Sequence, residues 1–196
     1  NNTGQEAKTA NKIPVVLDTD ANNELEDQHA IAYLLNNQDI FEIAGITVNR
    51  THSGGDVEKH YEEALRILTL FQEQSNIPVY RGANKNFDEI EESMKEENFD
   101  GADAVNFLIE EAVKYENHEL ILIPIGKLTN IALALEKAPD IIPRVKIIWL
   151  GSNYPDAGEY NLVNDTSALN YILESGAWIE MVTVSYGKES GTSAIQ

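Results

Sequence analysis

From Ile13 onward, short aliphatic and β-branched runs alternate with segments of helical period, and no other feature restricts this chain's fold as much. Strand, helix, strand in repetition reads as a parallel sheet, because parallel neighbours need a long crossover to return to the same edge. The strands read as IPVVLD (13–18), FEIAGITVN (41–49), IPVYRG (77–82), ELILIPIG (119–126), VKIIWLG (145–151) and WIEMVTVS (178–185). Helical period marks 26–37, 56–72, 102–115, 128–138 and 165–175. In the second of these, Val57, Tyr61, Ala64, Leu65 and Leu68 share one face. The acidic stretch NFDEIEESMKEENFDG (86–101) reads as a surface excursion. The predicted fold is α/β: an open, doubly wound, mainly parallel sheet with helices on both faces, Rossmann-like. No repeat or linker interrupts it, so residues 13–196 read as one domain behind a polar, flexible tail over 1–12.

In open α/β sheets, ligands bind outside the carboxyl ends of the strands. The first such end carries Asp18, Asp20, Glu24, Glu26 and Asp27, five carboxylates within ten positions and no Lys or Arg among them. Unit charges about 4 Å apart repel by roughly 1 kcal/mol in bulk water and several-fold more at a half-buried site. A bound cation is the candidate reason for such a cluster. Oxygen donors at this density suit calcium or magnesium. Soft-metal sites are excluded, since the chain has no Cys and its four His residues lack zinc-type spacing. Helix-start chemistry competes for part of the cluster: Asn23 followed by Glu26 fits a capping box, and acidic first turns suit the helix dipole. Capping supplies nothing for Asp18 and Asp20, which end a buried strand.

Other loops add weaker signals. Glu159 and Asn161 offer an acceptor and an amide just before a helix that Asp165 would cap, a natural grip for sugar hydroxyls. Gly126 lets the backbone approach a ligand closely, so the Ile125 carbonyl could face one. The formal charge of −19 argues against nucleic acid and anionic membranes as partners, and no apolar run has the length of a spanning helix. A soluble protein is expected, with compartment and homo-oligomerisation left open.

Taken in order, LDTD…EDQHAIAYLL, AGITV, PVYRGA, IPIGKLTNIALAL and GEYNLVNDTSA resemble the nucleoside hydrolase family. Its members are calcium-dependent N-ribohydrolases with the usual signature Asp-x-Asp-Pro-Gly-x-Asp-Asp. The resemblance implies that Asp20 and Asp27 ligate Ca2+, with the Ile125 carbonyl as a further ligand and Asp20 as general base toward a metal-bound water. It implies that Glu26, Glu159 and Asn161 hold sugar oxygens, that Asn49 contacts the ribose, and that Asp18 braces the loop from behind. The implied activity is hydrolysis of N-glycosidic bonds in ribonucleosides or a related small glycoside, through an oxocarbenium-like sugar that acidic groups would stabilise.

Three departures accompany the match. ANNELED is two residues longer than the usual loop and lacks its Pro-Gly, and Glu26 is one methylene longer than the family's Asp. The family also continues beyond the equivalent of Gln196 with a final Asp ligand and, in many members, a His that protonates the leaving base. A calcium- and sugar-binding protein without turnover is therefore an alternative. Another is a magnesium phosphatase of the haloacid dehalogenase type, which also starts on a strand ending in Asp-x-Asp and would use Asp18 as nucleophile.

Overall fold

Val15, Val16 and Leu17 are completely or almost completely buried on both sides of strand β1 (Ile13–Thr19). Such two-sided burial belongs to the centre of a parallel sheet. Residues 11–73, 76–155, 158–186 and 190–191 are described in the computed structural model. The tail expected over 1–12 therefore lies outside them except for its last two residues.

β1 is followed by α1 (Leu25–Asn36), β2 (Phe41–Val48), α2 (Val57–Leu70) and β3 (Val79–Arg81). Next come α3 (Phe87–Ile90), a 3-10 segment (Glu91–Lys95), α4 (Ala102–Ala112), β4 (Leu120–Pro124) and α5 (Thr129–Lys137). A second 3-10 segment (Pro139–Arg144) leads to β5 (Val145–Leu150) and β6 (Asn153–Tyr154). The remaining elements are α6 (Tyr160–Asn164), α7 (Thr166–Ser175), β7 (Trp178–Val182), β8 (Ser185–Tyr186) and β9 (Ser190–Gly191). The main sheet has the order β3-β2-β1-β4-β5-β7, and every pairing in it is parallel. β6, β8 and β9 form a small second sheet. This is the doubly wound α/β architecture anticipated from the alternation, with its strand order reversing between β1 and β4.

Side-chain parity along β1 divides the core. Val15 and Leu17 join Ile31, Leu35, Ala64 and Leu68 on the face covered by α1 and α2. Val16 joins Val105, Leu108, Ile131, Leu135 and Ile172 on the opposite face, under α4, α5 and α7. Each fully buried Leu or Ile contributes about 1.5–3 kcal/mol relative to exposure.

Three expectations need correction. The stretch 86–101 is not a simple surface excursion: its acidic residues face outward, but Phe87, Ile90, Met94 and Phe99 are buried in the second core. On α2, Ile67 rather than Leu65 completes the buried face, together with His60. The last strand ends at Val182, and Ser185 pairs with Asn153 in the small sheet instead.

Candidate active site

The parity that divides the core also sorts the polar residues ending β1. Asp18 follows Val16 toward α5, and Thr19 follows Leu17 toward α1. Asp18 is fully buried, with Oδ2 accepting from Thr47 Oγ1 at 2.6 Å and Asn130 Nδ2 at 2.7 Å, and Oδ1 from Asn49 Nδ2 at 2.7 Å. Burial pushes its carboxyl up to about 6, against the pull of those three donors. Its backbone carbonyl accepts from the Ile125 N–H at 2.8 Å, joining the ends of β1 and β4. Thr19 Oγ1 donates to Asp27 Oδ1 at 2.5 Å and so ties α1 to the sheet.

Asp20 stands just past the strand. Its Oδ2 accepts from Thr51 Oγ1 at 2.5 Å and Asn23 Nδ2 at 3.1 Å. Asn23 is thereby used on Asp20 and not as a cap: α1 is capped by Glu24, with no side-chain bond to the helix end. The capping box considered for Asn23 and Glu26 is not formed. Both Asp20 and Asp27 are almost wholly buried, and burial raises the pKa of each; the neighbouring Asp20 charge raises Asp27 further. Glu24, mostly exposed, is raised by its contact with Glu26. No Lys or Arg forms an ion pair with these carboxylates among the described residues.

A cavity of about 740 Å³ opens at this point, lined by Asp20, Glu26, Asp27, Ile125, Glu159 and Asn161 among others, with His29 at its rim. It lies where the strand order reverses, the position at which open α/β sheets bind ligands. Gly126 packs against Asp20: a Cβ there would stand 2.7 Å from Asp20 Oδ1, so only glycine lets the β4 turn come this close. Trp149 Nε1 holds that turn by donating to the Gly126 carbonyl at 3.0 Å.

Glu159 and Asn161 reach the cavity while tying its walls together. Glu159 caps α6, accepting from the N–H groups of Asn161 at 2.8 Å, Leu162 at 3.0 Å and Ser152 at 2.8 Å. Asn161 Nδ2 donates to the carbonyls of Ile125 and Leu150, both at 2.9 Å. Asn49 does not line the cavity: it is fully buried, with Nδ2 on Asp18 and Oδ1 without a partner among the described residues. Asp165 caps α7 as expected and also accepts from Thr129 Oγ1 and the Phe87 N–H, binding α3, α5 and α7 to one carboxylate.

Several contributors were not singled out from sequence. Thr19, Thr47 and Thr51 each donate to one of the three aspartates, and in or just beyond a strand a threonine differs little from a packing residue. Asn130 belongs to the IPIGKLTN turn, whose match to the family marks it in the sequence. His60 is buried 38 residues along the chain from Asn22, whose N–H it accepts at Nδ1.

The donor set suits a hard cation. Hydrogen bonds from neighbouring residues fall on Oδ2 of Asp20 and Oδ1 of Asp27, leaving the other oxygen of each available, and Ile125, whose carbonyl accepts one hydrogen bond from Asn161, lines the same cavity. Among the described residues no group of three or more acidic, His or Cys side chains gathers into a complete metal site. Calcium takes six to eight oxygens, so these three donors form only part of a shell.

The model of the inosine-uridine preferring nucleoside hydrolase family matches residues 15–193. An uncharacterized protein of Schizosaccharomyces pombe is 30% identical over 93% of this chain and 64% of its own length. The pyrimidine-specific ribonucleoside hydrolase RihA of Shewanella sp. (strain ANA-3) is 29% identical over 86% of this chain and 58% of its own. The chain thus spans about three-fifths of the length of these relatives. Among solved structures, the plant nucleoside hydrolase PpNRh1 superposes with a TM-score of 0.72 at 22% identity, over 89% of this chain and 60% of that one. The type III effector XopQ, solved with adenosine diphosphate ribose, gives 0.65 at 18% identity, over 88% and 58%. A family match running from β1 through the final strands, on a sheet of this order with its acidic cleft at the reversal point, leaves one assignment: the chain belongs to the inosine-uridine preferring nucleoside hydrolase family.

Proposed function

We propose that this chain carries the sugar- and metal-binding part of a calcium-dependent hydrolase that cleaves the N-glycosidic bond of ribonucleosides or a related small glycoside. The observation that carries the reading is the pair Asp20 and Asp27, two nearly buried carboxylates on one cavity wall with no basic partner among the described residues. Asp20, Asp27 and the Ile125 carbonyl would hold the ion. Ca2+ bound there would supply the positive charge that offsets the two carboxylates, orients the sugar diol and acidifies water. Asp20 takes the proton of the attacking water as general base, since it lines the cavity with one carboxylate oxygen left free by its hydrogen bonds. Glu26, exposed at the cavity, accepts from a ribose hydroxyl, and Glu159 and Asn161, which line the same cavity, meet the other sugar oxygens. The cleft's negative charge favours the oxocarbenium-like sugar that forms as the C–N bond breaks. Asn49 and Asp18 act from behind, holding the ends of β1 and β4 in register.

The phosphatase alternative needs a reachable nucleophile at Asp18. That carboxylate is fully buried and accepts three hydrogen bonds. The test is release of sugar from inosine, uridine and a chromogenic riboside, with calcium and then with chelator. Calcium-dependent release that Asp20→Asn abolishes supports the reading. Sugar-dependent calcium binding without release would make the chain a binding protein.

A further inference from the structure

Beside the acidic cavity, and separated from it by Thr51, lies a second cavity of about 180 Å³ with the opposite character. Thr51 Oγ1 donates to Asp20, while the same residue walls this pocket. None of its lining residues is acidic, in a chain with 33 acidic and 14 basic side chains. Two of those basic groups, Arg50 and Lys127, meet there, and neither forms an ion pair among the described residues.

The hydrogen bonds around the pocket consume acceptors and leave donors. Lys127 is 1% exposed, and its Nζ donates to the Lys85 carbonyl at 2.8 Å and to Asn86 Oδ1 at 3.0 Å, which leaves one N–H. Asn84 Oδ1 accepts from the Val57 N–H at 3.0 Å. With their oxygens so engaged, Asn84 and Asn86 have amide nitrogens with no acceptor among the described residues. Asn164 Oδ1 faces His52, because its nitrogen donates to the Tyr160 carbonyl at 2.9 Å. The carboxylates nearest Lys127 do not line the pocket. Asp165 and Asp100 accept from backbone N–H groups, Asp165 from that of Phe87 and Asp100 from those of Asn84 and Lys85, and Glu89 accepts from the Asn86 N–H. Lys127 does not line the acidic cavity, so the buried cation stands apart from the residues proposed to hold calcium and sugar.

We propose that the Arg50–Lys127 pocket binds a tetrahedral oxyanion of the phosphate class, held by one guanidinium, one buried ammonium and two side-chain amides. A ligand that only accepts hydrogen bonds and carries negative charge answers every group left over there. Phosphate could come free from solution or attached to a riboside whose sugar lies beyond Thr51. The inference is independent of hydrolysis and of calcium.

Calorimetric titration of the full chain in chelator, at low ionic strength, with inorganic phosphate, ribose 5-phosphate and ribose tests it. Inorganic phosphate and ribose 5-phosphate are both expected to saturate one site, and Arg50→Gln, at an exposed position, should weaken each about tenfold or more. Lys127→Met should weaken both at least as much if it folds. Ribose 5-phosphate binding clearly tighter than inorganic phosphate and ribose would assign the pocket to a phosphorylated riboside; equal affinities would assign it to the free anion. No saturable phosphate binding, or equal binding by the folded Arg50→Gln chain, would overturn the proposal.

Discussion

Replacing Asn130 by alanine tests whether the aspartate cluster depends on a residue from the far side of the sheet. Asn130 is fully buried at the start of α5, with Nδ2 on Asp18 Oδ2 at 2.7 Å and Oδ1 accepting from the Ala83 N–H at 2.9 Å. Truncation removes a hydrogen bond to a carboxylate, about 1.5–3 kcal/mol, and strands a buried N–H, about 1–3 kcal/mol. The expected loss is about 3–5 kcal/mol, a large part of the roughly 5–15 kcal/mol that holds a domain folded. Urea unfolding followed by circular dichroism in chelator measures it. A loss below about 1 kcal/mol with an unchanged slope would refute the reasoning, since it would mean that water or relaxation replaces both bonds. Asn130→Asp refines the test: a second carboxyl group would sit at hydrogen-bond distance from Asp18, and the two cannot both ionise cheaply. The native pair would keep a proton that the unfolded chain releases above about pH 4, so this variant should lose further stability between pH 5 and 8.

Three further outcomes follow from the same geometry. Asp27→Asn keeps an acceptor for Thr19 but removes a buried charge beside Asp20; in chelator at pH 8 it should raise stability by about 1–2 kcal/mol, while calcium should then raise its melting temperature less than the wild type's. A destabilised Asp27→Asn chain in chelator would contradict the reading of uncompensated repulsion. Burial pulls Lys127 down from 10.5 to about 8, so the unfolded chain binds that proton more strongly, and stability should rise by about 3 kcal/mol as pH climbs from 8 to 10.5. Comparing denaturation across that range with Lys127→Met isolates the effect, which the variant should lack. Trp149→Phe strands the Gly126 carbonyl and should cost about 1–3 kcal/mol, read by thermal unfolding.

Most of the architecture was legible because it depends on period. The runs 13–18, 41–49, 119–126 and 145–151 are strands over most of their length, and helices occupy the segments of helical spacing between them. The stretch 86–101 was misread because its acidic surface outnumbers Phe87, Ile90, Met94 and Phe99, which only a three-dimensional neighbour identifies as core. Asp20, Glu26, Asp27, Ile125, Glu159 and Asn161, which the family resemblance picked out together, line one cavity, since each sits at or near the end of a strand or the start of a helix. The Arg50–Lys127 pocket was not legible, since its residues come from four separated segments with no shared spacing.

The sequence by itself determined that a buried parallel strand ends in aspartates, and it pointed to the carboxyl edge of the sheet as the place for a ligand. Only the tertiary structure supplies the physical reason why one of those aspartates lines the cavity and its neighbour does not. Asp18 and Asp20 are two residues apart, yet Thr47, Asn49 and Asn130 take Asp18 into the core while Asp20 reaches the cavity. Those partners lie 29, 31 and 112 residues away along the chain, and a carboxylate's solvation and hydrogen bonds are set by what packs around it in space.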